Sequence, residues 1–340
     1  MMAELKKALE EIGIAYFVFD GITGEPTNVM IDEGIAAYKE NGCDFCIGIG
    51  GGSPLDSAKA IAAMITNEGK IADYNGKVIE KPIPPVVAIP TTAGTGSEAT
   101  QFTVITDVEK DIKMLLKGGY LVPKIAIVDP AYTYSAPKSI TAATGMDALT
   151  HAIEAYTSRK ALPVTDTLAV SAVKRIMKYL PAAYKDGSDE KARYEMSVAS
   201  YEAGICINNS TVTLVHGMSR PIGALFHVAH GISNAMLLTK CLAFALDGAY
   251  EKFANLGREI GAATAEDDDK TASEKFIEAL NEICKICEIP TLLEYGIPKD
   301  EFFAHMEKMA HDALTSGSPG NTMKPISEQD IIEIYKKLWE

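Results

Sequence analysis

The amino-acid sequence predicts an α/β N-terminal domain built on a parallel sheet, followed by an all-α C-terminal domain. Up to about Pro137, short apolar runs alternate with helical stretches, which is the pattern of βαβ units. Beyond Pro137 the strand-like alternation stops, and helical periodicity continues almost unbroken to Trp339. A length of 340 residues suffices for two domains, each with its own core. The boundary is expected near Ser135–Ser139, dividing the chain into residues 1–136 and 137–340.

In chain order, a first helix over about Ala3–Ile12 leads into an apolar strand, Ile14–Asp20. A turn at Gly21–Pro26 and a helix over about Val29–Glu40 follow. The strand Asp44–Gly50 ends in glycines and opens onto Gly50-Gly51-Gly52-Ser53-Pro54-Leu55-Asp56, ahead of a helix over Ser57–Thr66. Ligands of parallel sheets bind beyond the carboxyl ends of the strands. Glycines there let the backbone approach a phosphate, and the helix N-terminus offers free N–H groups. A tight turn alone would use the same glycines. A third strand, Pro85–Pro90, runs into Thr91-Thr92-Ala93-Gly94-Thr95-Gly96-Ser97-Glu98, which suits a nucleotide contact or a plain polar loop. Phe102–Thr106 and Ile112–Leu116 read as a hairpin around Asp107–Asp111, and Lys124–Asp129 as a last strand.

Helices after Pro137 are expected at about Ser139–Arg159, Val164–Lys178, Glu190–Ile207, Thr211–Leu225, Gly231–Leu246, Tyr250–Gly261 and Thr271–Cys287. Shorter ones are expected at about Asp300–Ala313 and Glu328–Trp339. A net charge of −14 argues against nucleic acid or an anionic membrane as a partner. No apolar run approaches a membrane span, and the charged N-terminal helix lacks a signal peptide's apolar core. Cytoplasmic residence is therefore the expectation. Six cysteines fit a reducing compartment. The pairs Cys43/Cys46 and Cys284/Cys287 read as small buried apolar residues, with a zinc or redox role as the alternative.

Chemistry concentrates in Gly145-Met-Asp-Ala-Leu-Thr-His-Ala-Ile-Glu-Ala-Tyr156. Residues four apart share a helix face, so Asp147 and His151 present a carboxylate and an imidazole to one small volume. A simple Asp–His hydrogen bond is the plain alternative. Downstream lie His216-Gly-Met-Ser-Arg-Pro221 and His227-Val-Ala-His-Gly231. Asp147, His151, His216 and His230 together would make an N,N,N,O set with room for one exchangeable ligand, suited to Fe(II) or Zn(II).

With these motifs, the sequence resembles the iron-containing (group III) alcohol dehydrogenases, within the superfamily of glycerol dehydrogenase and dehydroquinate synthase. The resemblance implies a Rossmann-like first domain, a helical metal-binding domain, and chemistry in the cleft between them. It implies metal-dependent hydride transfer between NAD or NADP and a small alcohol or aldehyde. Gly51, Gly52 and Ser53 are then expected at the pyrophosphate, and Asp56 near the ribose or nicotinamide. Thr91, Thr92, Thr95, Ser97 and Lys113 would contact the cofactor. Lys113 alone would be an ordinary surface charge. His227 is a candidate proton relay, or equally a packed neighbour of the ligands. A homo-oligomer, most simply a dimer, is expected.

Two features depart from the family. Arg220 stands where many members carry histidine; arginine suits a substrate carboxylate or phosphate, or a pairing with a helix carboxylate. Relatives also begin with a further βα unit, and Glu25 replaces a cofactor-contacting Asn, which bears on the choice between NAD and NADP. The rival readings are a metallohydrolase using the same metal, and a non-catalytic member that has lost its cofactor.

Overall fold

The computed structural model describes residues 2–110 and 112–340. It divides into one compact unit ending at Thr133 and a second formed by Tyr134–Glu340. The segment Ala93–Gly96, within the α/β part of the sequence, belongs to the second unit.

The first unit begins with α1 (Met2–Glu11), which buries no residue, and α2 (Asn28–Glu40), N-capped by the Thr27 hydroxyl. Strand β1 (Cys46–Gly50) leads into α3 (Gly52–Thr66), then β2 (Val86–Pro90). Strands β3 (Phe102–Asp107) and β4 (Ile112–Lys117) form an antiparallel hairpin, and β5 (Ile125–Ala126) completes a parallel sheet ordered β1-β2-β5. Cys46 faces Val86 across the ladder, and Val87 faces Ile125. Ile31, Ile61, Met64, Ile105 and Leu116 build the core between helices and hairpin. Gly34 lets α2 approach closely there, since a Cβ would lie 2.3 Å from Ile61 Cδ1 and that side chain would have to shift.

Three expectations are corrected in this unit. Ile14–Asp20 is not a strand. A strand exists by pairing, and this segment has no ladder partner among the described residues, while Phe19 packs on the α2–α3 core. The helix after the glycine loop starts at Gly52 rather than Ser57, because Pro54 fits a first helical turn. The last strand shortens to β5, since Asp129 turns back to accept from the Ala131 N–H at 2.9 Å. Asp111, at the end of the expected hairpin turn, lies outside the described residues.

The second unit is helical. Its centre is α4 (Lys138–Thr157), buried on every side from Thr141 onward except at Thr144. Alanines and Gly145 make this packing feasible; a Cβ on Gly145 would lie 2.5 Å from Leu180. Around it lie α5 (Pro163–Lys185), α6 (Glu190–Asn209), α7 (Leu214–Phe226) and α8 (His230–Ala245). Helices α9 (Tyr250–Glu259), α10 (Asp269–Ile286), α11 (Lys299–Thr315) and α12 (Glu328–Lys337) complete the unit. Among the described residues no helix is long and apolar enough to cross a membrane. Burial pushes the thiols of Cys46, Cys284 and Cys287 up to about 12, leaving them inert at neutral pH.

Candidate functional site

Helix α4 carries Asp147 and His151 one turn apart, with His151 Nε2 3.8 Å from Asp147 Oδ1. Helix α7 contributes His216, whose Nε2 lies 3.5 Å from the same oxygen. His230, the first residue of α8, places Nε2 3.7 Å from it. The ligand atoms of Asp147, His151 and His216 all lie within 4.8 Å of one another, and the rings of His151 and His216 stack at 4.6 Å. Three helices far apart in sequence thus aim one carboxylate oxygen and three imidazole nitrogens at a common volume. The outer part of His230 is open, with 47% of its side chain exposed, so the cluster is accessible from that side.

Two residues that the sequence reading passed over complete the arrangement. Glu154, fully buried on α4, places Oε2 2.5 Å from His216 Nδ1. Its Oε1 accepts from the Thr213 hydroxyl at 2.8 Å and the Val215 N–H at 2.6 Å, so one carboxylate caps α7 and orients its imidazole. Asn234, one turn after His230, donates Nδ2 to Asp147 Oδ1 at 2.7 Å. The spacing was the available signal for both, since Glu154 follows His151 by three residues and Asn234 follows His230 by four.

Electrostatics follow from these contacts. Burial would raise the Asp147 pKa, but the surrounding imidazoles outweigh it and hold the carboxyl well below its usual range. Burial opposes charge on His216, yet Glu154 and Asp147 prevail and raise it to about 9. Desolvation of the inward edge of His230, with other cationic groups beside it, pushes that residue down to about 4. Burial likewise lowers His151.

The donor set fits a divalent cation. With its Nδ1 proton committed to Glu154, His216 would present an Nε2 lone pair inward once a cation displaces the Nε2 proton. Asn234 Nδ2 lies 3.1 Å from that nitrogen and 3.2 Å from His230 Nε2, besides its bond to Asp147. One amide has only two hydrogens for what would then be three acceptors. The resulting excess of inward lone pairs is what the cation would satisfy.

In the first unit, the glycine loop stands at the carboxyl end of β1. Gly50 has φ +149°, and a Cβ there would meet Pro54 at 2.6 Å, so glycine is obligatory. Gly51 is the N-cap of α3, and Gly52 and Ser53 open its first turn. Thr92 lies against Gly51, and the Thr91 N–H donates to the Gly50 carbonyl at 2.8 Å, which joins the two candidate cofactor loops. Beneath them Asp56 accepts from Ser97 at 2.5 Å and from the Val104 N–H at 2.8 Å, so it braces the loops. Lys59 is fully buried and donates to the carbonyls of Thr100 and Phe102 and to the Thr100 hydroxyl.

Other candidates are placed differently. Thr95 lies in the segment that belongs to the helical unit, where Gly94 and Gly96 press against Thr144 and Gly204. Lys113 pairs with Glu25 at 2.7 Å. His227 is exposed at the C-terminal end of α7 with left-handed backbone (φ 53°), and no hydrogen bond ties it to the cluster among the described residues. Arg220 reaches Ser318.

Comparison with known proteins shows the family. Residues 1–130 match the family described as iron-containing alcohol dehydrogenase, and residues 141–339 match the C-terminal part of the Fe-containing alcohol dehydrogenase family. The chain is 38% identical to the NAD-dependent methanol dehydrogenase of Bacillus methanolicus, over 98% of this chain and 87% of that protein. It is 37% identical to the 1,3-propanediol dehydrogenase of Klebsiella pneumoniae, over 97% and 84%. A crystal structure of a 1,3-propanediol oxidoreductase superposes with a TM-score of 0.95 at 35% identity, covering 99% of this chain and 88% of that one. With both parts of the family matched along nearly its whole length, the chain belongs to the iron-containing alcohol dehydrogenases.

Proposed function

We propose that the chain is a metal-dependent, NAD(P)-linked alcohol dehydrogenase or aldehyde reductase acting on a small alcohol or aldehyde. In this reading Asp147, His151, His216 and His230 hold one divalent ion, Fe2+ or Zn2+. Gly51, Gly52 and Ser53 hold the pyrophosphate of NAD or NADP, with Thr91 and Thr92 alongside. The carrying observation is the convergence of three imidazole nitrogens within 3.8 Å of one carboxylate oxygen, on a volume open on the His230 side. A divalent ion there supplies Lewis acidity toward an alcohol or aldehyde oxygen, and a nicotinamide supplies the hydride exchange.

The chain's own groups prepare that chemistry. Glu154 holds the Nδ1 proton of His216, so the proton that metal binding would displace is the one on Nε2. Asn234 holds Asp147 by a donated hydrogen bond. Asp56 and Lys59 brace the loops on which the dinucleotide would lie. His227, exposed beside α8, is the proposed group for passing a proton to solvent. The alcohols named for the relatives support a small substrate, and the NAD dependence named for the methanol enzyme supports the dinucleotide.

The test joins metal analysis with cofactor titration. The purified protein is expected to contain close to one equivalent of metal, with much less in His216→Ala, and to change NADH or NADPH fluorescence on titration. Metal content that is the same in both proteins would remove the metal assignment. One observation favours the cofactor-deficient alternative: Glu25 neutralises Lys113. Fluorescence unchanged by either dinucleotide would establish that alternative.

A further inference from the structure

Arg220 stands apart among the arginines of this chain. Each of the other four, Arg159, Arg175, Arg193 and Arg258, engages at least two hydrogen-bond partners. Among the described residues Arg220 makes a single hydrogen bond, from Nη1 to Ser318 Oγ at 3.0 Å, and no carboxylate lies within ion-pair distance of it. A guanidinium presents five N–H donors in a planar fork. Bracing one serine leaves most of that capacity unused, on a side chain that is only half-buried.

Its location gives the spare donors a meaning. On α7, Arg220 follows His216 by four residues and so lies one turn along the same face. The loop carrying Ser318 is pressed against this helix, since a Cβ on Gly217 would lie 2.6 Å from Pro319. The guanidinium is near enough to both His230 and Glu154 to interact with them electrostatically. Glu154 offers no pairing, because both its oxygens are engaged by Thr213, Val215 and His216. Asp147 is likewise committed to the ligand set. A cation whose remaining donors no protein group engages thus sits beside an accessible cluster of metal-ligating groups, in a chain whose net charge is −14.

We infer that Arg220 binds an anionic group at the far end of the substrate, so that the preferred substrate is a short alcohol or aldehyde bearing a carboxylate, sulfonate or phosphate. The inference rests on the dehydrogenase reading and narrows its substrate class. One helical turn separates Arg220 from His216, about 6 Å along the axis. That spacing suits a short carbon chain, with its oxygen end at the cluster and its anionic end at the fork.

The metal-loaded enzyme is assayed with its preferred reduced nicotinamide on butanal, succinic semialdehyde, sulfoacetaldehyde and glyceraldehyde 3-phosphate. These probes distinguish the neutral case from the three anion chemistries. Wild type is expected to favour at least one anionic aldehyde over butanal in kcat/KM. Arg220→Gln should lower that preference by about 10- to 100-fold, the worth of a charged hydrogen-bonded contact, mainly through KM. Arg220→Lys should recover part of it by restoring a point charge. Calorimetric titration of the metal-loaded protein with succinate, sulfoacetate and glycerol 3-phosphate gives a readout independent of turnover. At least one anion should bind wild type, and binding should weaken in Arg220→Gln. A preference for butanal in wild type, or an anion preference and affinity that Arg220→Gln leaves intact, overturns the inference while leaving the dehydrogenase reading in place. Absence of turnover on every aldehyde counts against the dehydrogenase reading, and Arg220-dependent anion binding would still establish the site. If Arg220→Gln fails to fold, the wild-type preference and the Arg220→Lys protein decide.

Discussion

Glu154 and His216 form a buried carboxylate–imidazole pair, with Oε2 2.5 Å from Nδ1, and the same carboxylate caps the helix that carries the imidazole. The position of one candidate ligand is therefore set by a residue on the helix that carries two others. Glu154→Gln keeps the shape and weakens the pairing, so the His216 pKa should fall from about 9 toward its ordinary value. Metal affinity should drop by about 10- to 100-fold, the usual effect of losing a hydrogen-bonded partner behind a ligand. Competition titration against a chromophoric chelator measures this, and equal affinities in both proteins would refute the role.

Chelation should destabilise the protein. An ion that binds only the folded state adds stability by mass action, about 4 kcal/mol at a thousandfold excess over its Kd. Removing it leaves Asp147 with inward-facing imidazoles and no cation. The melting temperature of chelator-treated protein should fall by several degrees and recover with Fe2+ under anaerobic conditions or with Zn2+. A His151→Ala protein should show no such recovery.

The glycine loop separates fold from ligand approach. A Cβ on Gly51 would meet Thr92 at 3.6 Å, an ordinary contact, whereas Gly50 requires glycine. Gly51→Val should therefore keep its melting temperature within a few degrees and lose NAD(P)H affinity, read by fluorescence titration. Gly50→Val should lose stability as well. Equal NAD(P)H affinity in wild type and Gly51→Val would place the cofactor elsewhere.

Lys59 gives a pH signature. Burial lowers its pKa to about 8 from an ordinary 10.5. Between these values the unfolded chain holds a proton here that the folded chain has released, so the contribution of this group to stability rises with pH across that window. Lys59→Met should cost about 3 kcal/mol at pH 7, because buried Asp56 and Glu98 lose their cation. In urea unfolding from pH 7 to 10, the wild type should gain stability relative to the Lys59→Met protein. A constant difference would show that this lysine does not titrate there.

Strand β1 pairs with β2 on one side only, and among the described residues nothing pairs with its other edge. In the segment ahead of α2, Phe17 is 52% exposed and Ile14, Tyr16 and Val18 are also exposed. Open edges and exposed apolar segments invite association. Sedimentation velocity should show an oligomer whose population rises with concentration. A strict monomer at micromolar concentration would refute this.

The sequence by itself determined whatever is local. The four-residue step from Asp147 to His151 fixes a shared helix face, and the helices after Pro137 lie close to where periodicity placed them. Gly50–Ser53 announced a strand-to-helix turn for the same reason, since glycine backbone freedom is a property of the residue. Only the tertiary structure decided what depends on partners distant in the chain. Ile14–Asp20 has a strand's composition and no strand to pair with, because β-structure is made by a neighbour and not by a segment. Lys113 reads as a free cation until folding brings it to Glu25, 88 residues away in sequence. Glu154 lies within the domain's central motif, yet its contact with His216 spans 62 residues and appears only when α7 packs on α4. Arg220 shows the reverse: the sequence left open a pairing with a helix carboxylate, and packing supplied only Ser318. Spacing selects a face, but which groups meet across it is settled by the packing of whole helices.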